Sequence, residues 1–205
     1  MNEVWLALKE GSMFNAGYMG GQLYGRSLPI IVDRFLGGYF SGLYVYAKNM
    51  VSMISQLIAF SRRVEFFELL DTRRRLAAID VVRKQKLGFF IVGLAILFCG
   101  SINLVFASIG APKYEEVSAV AFFLMLVLLV WTVSSAYAQV AIAEHRVGLV
   151  GMVIVGTGLG SICLMIVGIE EFGIMAVYLC EAFMYIIQVV LYWCFLRGLG
   201  ARRLT

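Results

Sequence analysis

Four ionisable residues, Arg26, Asp33, Lys48 and Glu181, stand within stretches otherwise apolar enough to cross a bilayer, and amides accompany them at Asn15, Gln22, Asn49 and Gln56. Charge at bilayer depth costs several kcal/mol, so such residues face a bundle interior or water and mark a pathway or a paired site. Their types offer three kinds of chemistry. Arg26 and Lys48 can attract an anion, and the amides can hydrogen-bond neutral polar groups. Glu181 can carry a proton cycle, pair with Arg26 or Lys48, or hydrogen-bond to neighbouring tyrosines.

Helical spacing gathers these residues into stripes. Asn15, Gln22, Arg26 and Asp33 are separated by seven, four and seven residues, which at 100° per residue places them within about 40° of one another. Pro29 lies on the same side. Ser41, Lys48, Ser52 and Ser55 form a second narrow stripe, with Asn49 and Gln56 roughly a quarter turn away. Tyr178, Glu181, Tyr185, Gln188 and Tyr192 fall within about 80° of arc on a third helix. Such alignment calls for a lined cavity or a buried ion pair.

The elements that must position them are membrane helices. Hydrophobic residues make up 61% of the 205 positions and charged ones 15%, and the mean hydropathy is +0.89, outside the usual range of a soluble domain. At about 20 residues per span, the chain reads as an all-α polytopic bundle in one membrane domain. Clear spans are expected at 87–109, 117–140, 149–169 and 173–196, of which only the last carries a charge, Glu181. Two weaker spans, 12–33 and 39–61, would insert as a packed pair. The connection 62–86 alternates Phe66, Phe67, Leu69, Leu70, Leu76, Ile79 and Val82 with charges, as an amphipathic helix on the inner leaflet or a solvated loop helix does.

Charge placement orients the spans. One side receives Lys9, eight basic residues of 62–86 (Arg62, Arg63, Arg73, Arg74, Arg75, Arg83, Lys84, Lys86), Arg146, Arg197, Arg202 and Arg203; the other receives only Arg34 and Lys113. The positive-inside rule then places both termini in the cytoplasm. The same rule accounts for the basic runs without nucleic acid, which is not an expected partner. No cleavable signal peptide is expected, since residues 1–11 contain Glu3 and Glu10 and lack an apolar core.

The remaining spans read as packing surfaces. Gly156 and Gly160 form a GxxxG pair, with Gly148, Gly151, Gly158 and Gly168 nearby, as a close backbone approach requires. Trp131, Thr132, Ser134, Ser135, Tyr137 and Gln139 give 117–140 a polar half that could line a vestibule or contact its neighbours. Cys99, Cys163, Cys180 and Cys194 lie in apolar runs without metal-like spacing, so neither a disulfide nor a metal is expected, and no cofactor. His145 stands alone, and no nucleophile triad, HExxH or phosphate-cradling loop is present, so an enzyme is not expected. A transferase using Arg26, Asp33 and Glu181 on a lipid phosphate is the enzymatic alternative.

The run KEGSMFNAGYMGGQLYGRSLPIIVDRFLGGYFSGLYVYAKNM resembles the opening of the second half of bacterial polysaccharide flippases. The matching residues are Glu10-Gly11, Asp33-Arg34, Gly37-Gly38, Gly42-Leu43-Tyr44 and Ala47. The resemblance extends more loosely through a basic connection and four apolar helices to a basic tail. It implies one six-helix lobe of the multidrug and toxic compound extrusion fold, facing a second such lobe, or a second copy, around a central cavity. It also implies a multi-pass protein of the bacterial cytoplasmic (inner) membrane, embedded among membrane lipids. Its implied activity is transbilayer movement of an undecaprenyl-diphosphate-linked oligosaccharide by alternating access. On this reading Arg26 and Lys48 attract the diphosphate or sugar acids, and Asn15, Gln22, Asn49 and Gln56 bond sugar hydroxyls. Asp33 pairs with Arg34 or Arg26 at the outer gate, and Glu181 couples an ion. The connection 62–86 lacks the proline often found there in that family. A non-transporting scaffold, a truncated fragment, and a drug or lipid II exporter of the same fold are the alternatives.

Overall fold

The computed structural model describes residues 2–71, 85–110, 112–144 and 146–201. Among these residues the chain is all-helical: α1 (Asn2–Leu36), α2 (Gly38–Asp71), α3 (Lys86–Ile109), α4 (Pro112–Ala143), α5 (Val147–Phe172) and α6 (Ile174–Ala201). Long apolar runs in a medium without water leave the backbone only itself to bond to, and a helix satisfies it within one segment. Among the described residues four helices are long and apolar enough to cross a membrane, over Lys86–Ile109, Tyr114–Ala143, Val147–Phe172 and Ile174–Leu196. At 1.5 Å per residue even α3 is about 36 Å long, against a hydrocarbon core of about 30 Å. By length and composition this is a helical membrane protein. The polar stripes of α1 and α2 keep those two helices out of that set.

The helices outrun the apolar windows that announce them. Hydropathy marks where lipid is preferred, whereas a helix continues until its capping signals end it. Of the expected amphipathic connection at 62–86, residues 62–71 continue α2 without a break and Lys86 begins α3. The rest of that connection, with Arg73, Arg74, Arg75, Leu76, Ile79, Val82, Arg83 and Lys84, lies outside the described residues. So do His145, Arg202 and Arg203.

Tight turns join α1 to α2, α3 to α4, and α5 to α6. Each closes on a glycine of positive φ, namely Gly37, Gly110 and Gly173, a conformation in which a β-carbon is strained. Gly110 ends α3 by donating its N–H to the carbonyl of Ala107 at 3.3 Å. At this end of the bundle the Tyr39 hydroxyl donates to Glu116 Oε2 at 2.6 Å, tying the start of α2 to the start of α4.

α4 is the central element, packing on α2, α3, α5 and α6. Half (50%) of its most apolar window is buried, against 11% for the peripheral α3. Leu28, Val32, Tyr44, Ala47, Leu124, Met165, Ile169 and Val177 form the shared core. Where lipid surrounds a bundle, packing and interhelical hydrogen bonds replace the hydrophobic effect as the cohesive force. The most extensive contact, α1 on α5, is a glycine contact. A methyl built on Gly17 would run into the backbone of Gly151, and one on Gly151 into the carbonyl of Met13. Gly148 also approaches Met13, and Gly158 lies under Tyr24. The expected GxxxG pair is corrected: Gly156 and Gly160 are exposed and meet nothing within 4 Å. Gly151 and Gly156 are five residues apart, about 140° around the helix, and it is the face carrying Gly148, Gly151 and Gly158 that is turned to α1.

Candidate functional site

Three helices bring the ionisable residues together. Lys48 follows Tyr44 by four residues on α2, so both side chains leave the same face. The stripe of α6 turns inward, with Tyr178, Glu181, Gln188 and Tyr192 all buried. Lys48 Nζ lies 2.6 Å from Glu181 Oε1, and the Tyr44 hydroxyl donates to the same oxygen at 3.0 Å. The ammonium also sits 5.7 Å from the centroid of the Tyr44 ring, within reach of a cation–π attraction. Glu181 is 1% exposed and Lys48 36%, so the carboxylate is sealed in and the ammonium reaches it from an opening. Of the two partners that the spacing allows for Glu181, the structure selects Lys48.

That opening is a cleft of ≈ 480 Å³ among α1, α2, α4 and α6. Gln22 and Arg26 line it from α1, Lys48 and Asn49 from α2, and Glu181 and Tyr185 from α6, while Leu124, Val127, Leu128 and Trp131 of α4 form an apolar wall. Five of the residues singled out by spacing, Gln22, Arg26, Lys48, Asn49 and Glu181, therefore share one space. Asn15, Gln56, Asp33 and Arg34 are exposed and do not line it. Among the described residues no ion pair joins Asp33 to Arg26 or Arg34. Two helical turns, about 10 Å, separate Asp33 from Arg26, and its neighbour Arg34 points about 100° away.

Beneath the cleft runs a neutral polar network. Ser134 donates to Gln188 Oε1 at 2.8 Å, and Gln188 Nε2 donates to Thr157 Oγ1 at 2.9 Å, joining α4, α6 and α5. The Tyr24 hydroxyl and Ser161 Oγ are 3.1 Å apart, linking α1 to α5, and Ser161 Oγ donates to the carbonyl of Cys180 at 3.1 Å. Spacing foretold Gln188 and Ser134 but missed Tyr24, Thr157 and Ser161. Their signal is weak, since each is a single polar atom among apolar neighbours. Tyr44, read from the sequence only as part of the Gly42-Leu43-Tyr44 match, joins the site because it stands one turn before Lys48.

The electrostatics follow from this pairing. Glu181 neutralises Lys48, and Arg26 lines the same cleft with no ion pair among the described residues. The cleft is thus net positive, flanked by the amides of Gln22 and Asn49, and suited to an anion that carries further polar groups. No family model matches the chain, and neither a curated protein nor a solved structure matches it.

Proposed function

We propose that the chain is one lobe of a membrane transporter that moves an anionic lipid-linked oligosaccharide across the bilayer, completed by a second lobe or a second copy. The observation that carries this reading is the cleft itself. Arg26, Lys48, Gln22 and Asn49 converge on one space whose opposite wall is apolar, and an isolated cation in such a place has no structural employment. The resemblance of residues 9–50 to polysaccharide flippases supplies the cargo class, with the guanidinium of Arg26 meeting the diphosphate as a bidentate donor. The six spans, the extrusion-type lobe and cytoplasmic termini belong to this reading.

Arg26→Ala tests it. Arg26 is exposed and outside the core, so its loss should change stability by no more than about 0.5 kcal/mol. Export of the glycan should fall to background while insertion and abundance stay near normal. Equal loss of protein and export would assign Arg26 to structure instead.

A second reading rests on the Lys48–Glu181 pair, which could equally brace a non-transporting scaffold. Exchanging the two charges, Lys48→Glu with Glu181→Lys, discriminates: a purely structural pair keeps its function when reversed, whereas a cargo site loses its cation to burial and fails.

A further inference from the structure

Apart from the charged cleft, α5 and α6 leave a trough of ≈ 470 Å³ between them. Its lining reaches from Leu149 to Leu164 along α5 and from Phe183 to Phe195 along α6. Gly156 and Gly160 line it, both exposed and with nothing within 4 Å of where a side chain would start. The polar side chains among its lining residues, Thr157 and Ser161, are already bonded. Thr157 Oγ1 donates to the carbonyl of Val153 at 2.7 Å and accepts from Gln188, and Ser161 Oγ donates to the carbonyl of Cys180. With no free polar group to offer, the trough suits hydrocarbon. One end is different. Arg146 immediately precedes α5, three residues ahead of Leu149, seven ahead of Val153 and eighteen ahead of Leu164. At 100° per residue it therefore heads the stripe that lines the trough. It is exposed, and among the described residues no ion pair holds it. α5 begins there without a side-chain cap, so the positive end of its dipole adds to the charge.

We propose that the trough holds an acyl chain of an anionic phospholipid from the surrounding bilayer, with the lipid phosphate against Arg146. Such a site holds whether or not the chain transports anything. Leu149 and Leu164 are fifteen residues apart, about 22 Å along a helix, which exceeds the roughly 15 Å of hydrocarbon in one leaflet. A whole acyl chain therefore finds room along it. Arg146 stands just outside a 26-residue apolar helix, at the level of the headgroups, where a guanidinium meets phosphate as a bidentate donor. A second copy of the chain is the competing occupant, because exposed glycines also admit a helix. Charge decides against it. α5 has Arg146 at one end and the exposed Glu170 and Glu171 at the other. A copy inserted in the same sense would set arginine beside arginine and acid beside acid, whereas an anionic lipid brings the opposite charge to Arg146.

The test is native mass spectrometry of the purified full chain in detergent, titrated with dioleoylphosphatidylglycerol or dioleoylphosphatidylcholine. One phosphatidylglycerol should bind about fivefold more tightly than phosphatidylcholine, the gain that one arginine gives a net negative headgroup. Arg146→Gln should erase that difference and leave phosphatidylcholine binding as it was. Gly160→Leu and, separately, Gly156→Leu fill the trough and should weaken both lipids about tenfold. All three positions are exposed, so lipid-free melting temperatures should stay near that of the parent chain and show that the fold is kept. Equal binding of the two lipids overturns the proposal. A preference that survives Arg146→Gln overturns it too, since the headgroup would then sit at another basic residue, and so does lipid binding that both glycine variants leave intact. Stronger binding of a polyprenyl phosphate, lost in the same variants, would give the trough to that chain instead. A dimer that both glycine variants dissociate would give it to a second copy.

Discussion

Lys48 and Glu181 form an asymmetric pair, and the asymmetry can be measured. Removing one partner of a fully buried pair costs about 3–5 kcal/mol because a charge is left buried and uncompensated. Lys48→Met leaves Glu181 in that position, with only the Tyr44 hydroxyl to stabilise it. The loss should be of order 2–3 kcal/mol, reduced from the full value because Lys48 is partly open to the cleft. Glu181→Gln leaves the ammonium, which can turn towards the opening, and keeps an acceptor for Tyr44; about 1 kcal/mol is expected. Thermal unfolding in detergent should therefore rank Lys48→Met below Glu181→Gln, and the reverse order would mean that Lys48, not Glu181, is the buried member. The partner of Glu181 was not decidable from spacing. Arg26 and Lys48 sit on different helices, and only the way α2 and α6 both pack on α4 decides which one arrives.

Helix packing supplies the second test, through glycines that look alike in sequence. Gly17 and Gly151 stand where α1 and α5 touch backbone to backbone, whereas Gly156 and Gly160 face outward. Gly17→Ala should drive the two helices apart and cost about 1–3 kcal/mol, as overpacking does. Gly156→Ala and Gly160→Ala should be neutral or stabilising by up to about 1 kcal/mol, from helix propensity alone. Melting temperatures of the three variants decide it; destabilisation at Gly156 or Gly160 would show that the outer face carries a contact of its own. The same glycines show how far sequence reaches. Spans at 87–109, 117–140, 149–169 and 173–196 were legible because a bilayer imposes a hydropathy signal tens of residues long. A GxxxG spacing carries no information about which neighbour it meets, so of the glycines expected to let a backbone approach, Gly148, Gly151 and Gly158 meet α1 while the GxxxG pair Gly156 and Gly160 does not. Likewise the α6 stripe could be read from Tyr178 to Tyr192. That it faces inward, and that the α1 stripe from Asn15 to Asp33 is exposed, is decided by tertiary packing.

At the scale of the whole molecule, the surface is of two kinds. α3, α5 and α6 present Leu97, Phe98, Leu104, Val167 and Leu179 outward, all more than half exposed, as a lipid-facing surface requires. α1 and α2 expose apolar residues as well, Leu23, Ile30, Met53 and Phe60 among them, and between these Asn15, Gln22, Arg26, Asp33, Asn49 and Gln56. Hydrocarbon cannot solvate that sector, since polar and charged groups at membrane depth need protein or water against them. A second lobe set against α1 and α2 would convert the open cleft into a closed, hydrated cavity and complete the wall opposite Leu124 and Leu128. Light scattering corrected for detergent should therefore give the mass of a dimer, or of a complex with another helical chain. Cysteines introduced at Gln22 and Gln56 should cross-link across that interface in native membranes, while one introduced at Leu104 on α3 should not. A monomeric mass with no cross-link at Gln22 or Gln56 would leave the polar sector unmatched, and the transporter reading would give way to a scaffold whose ion pair is structural.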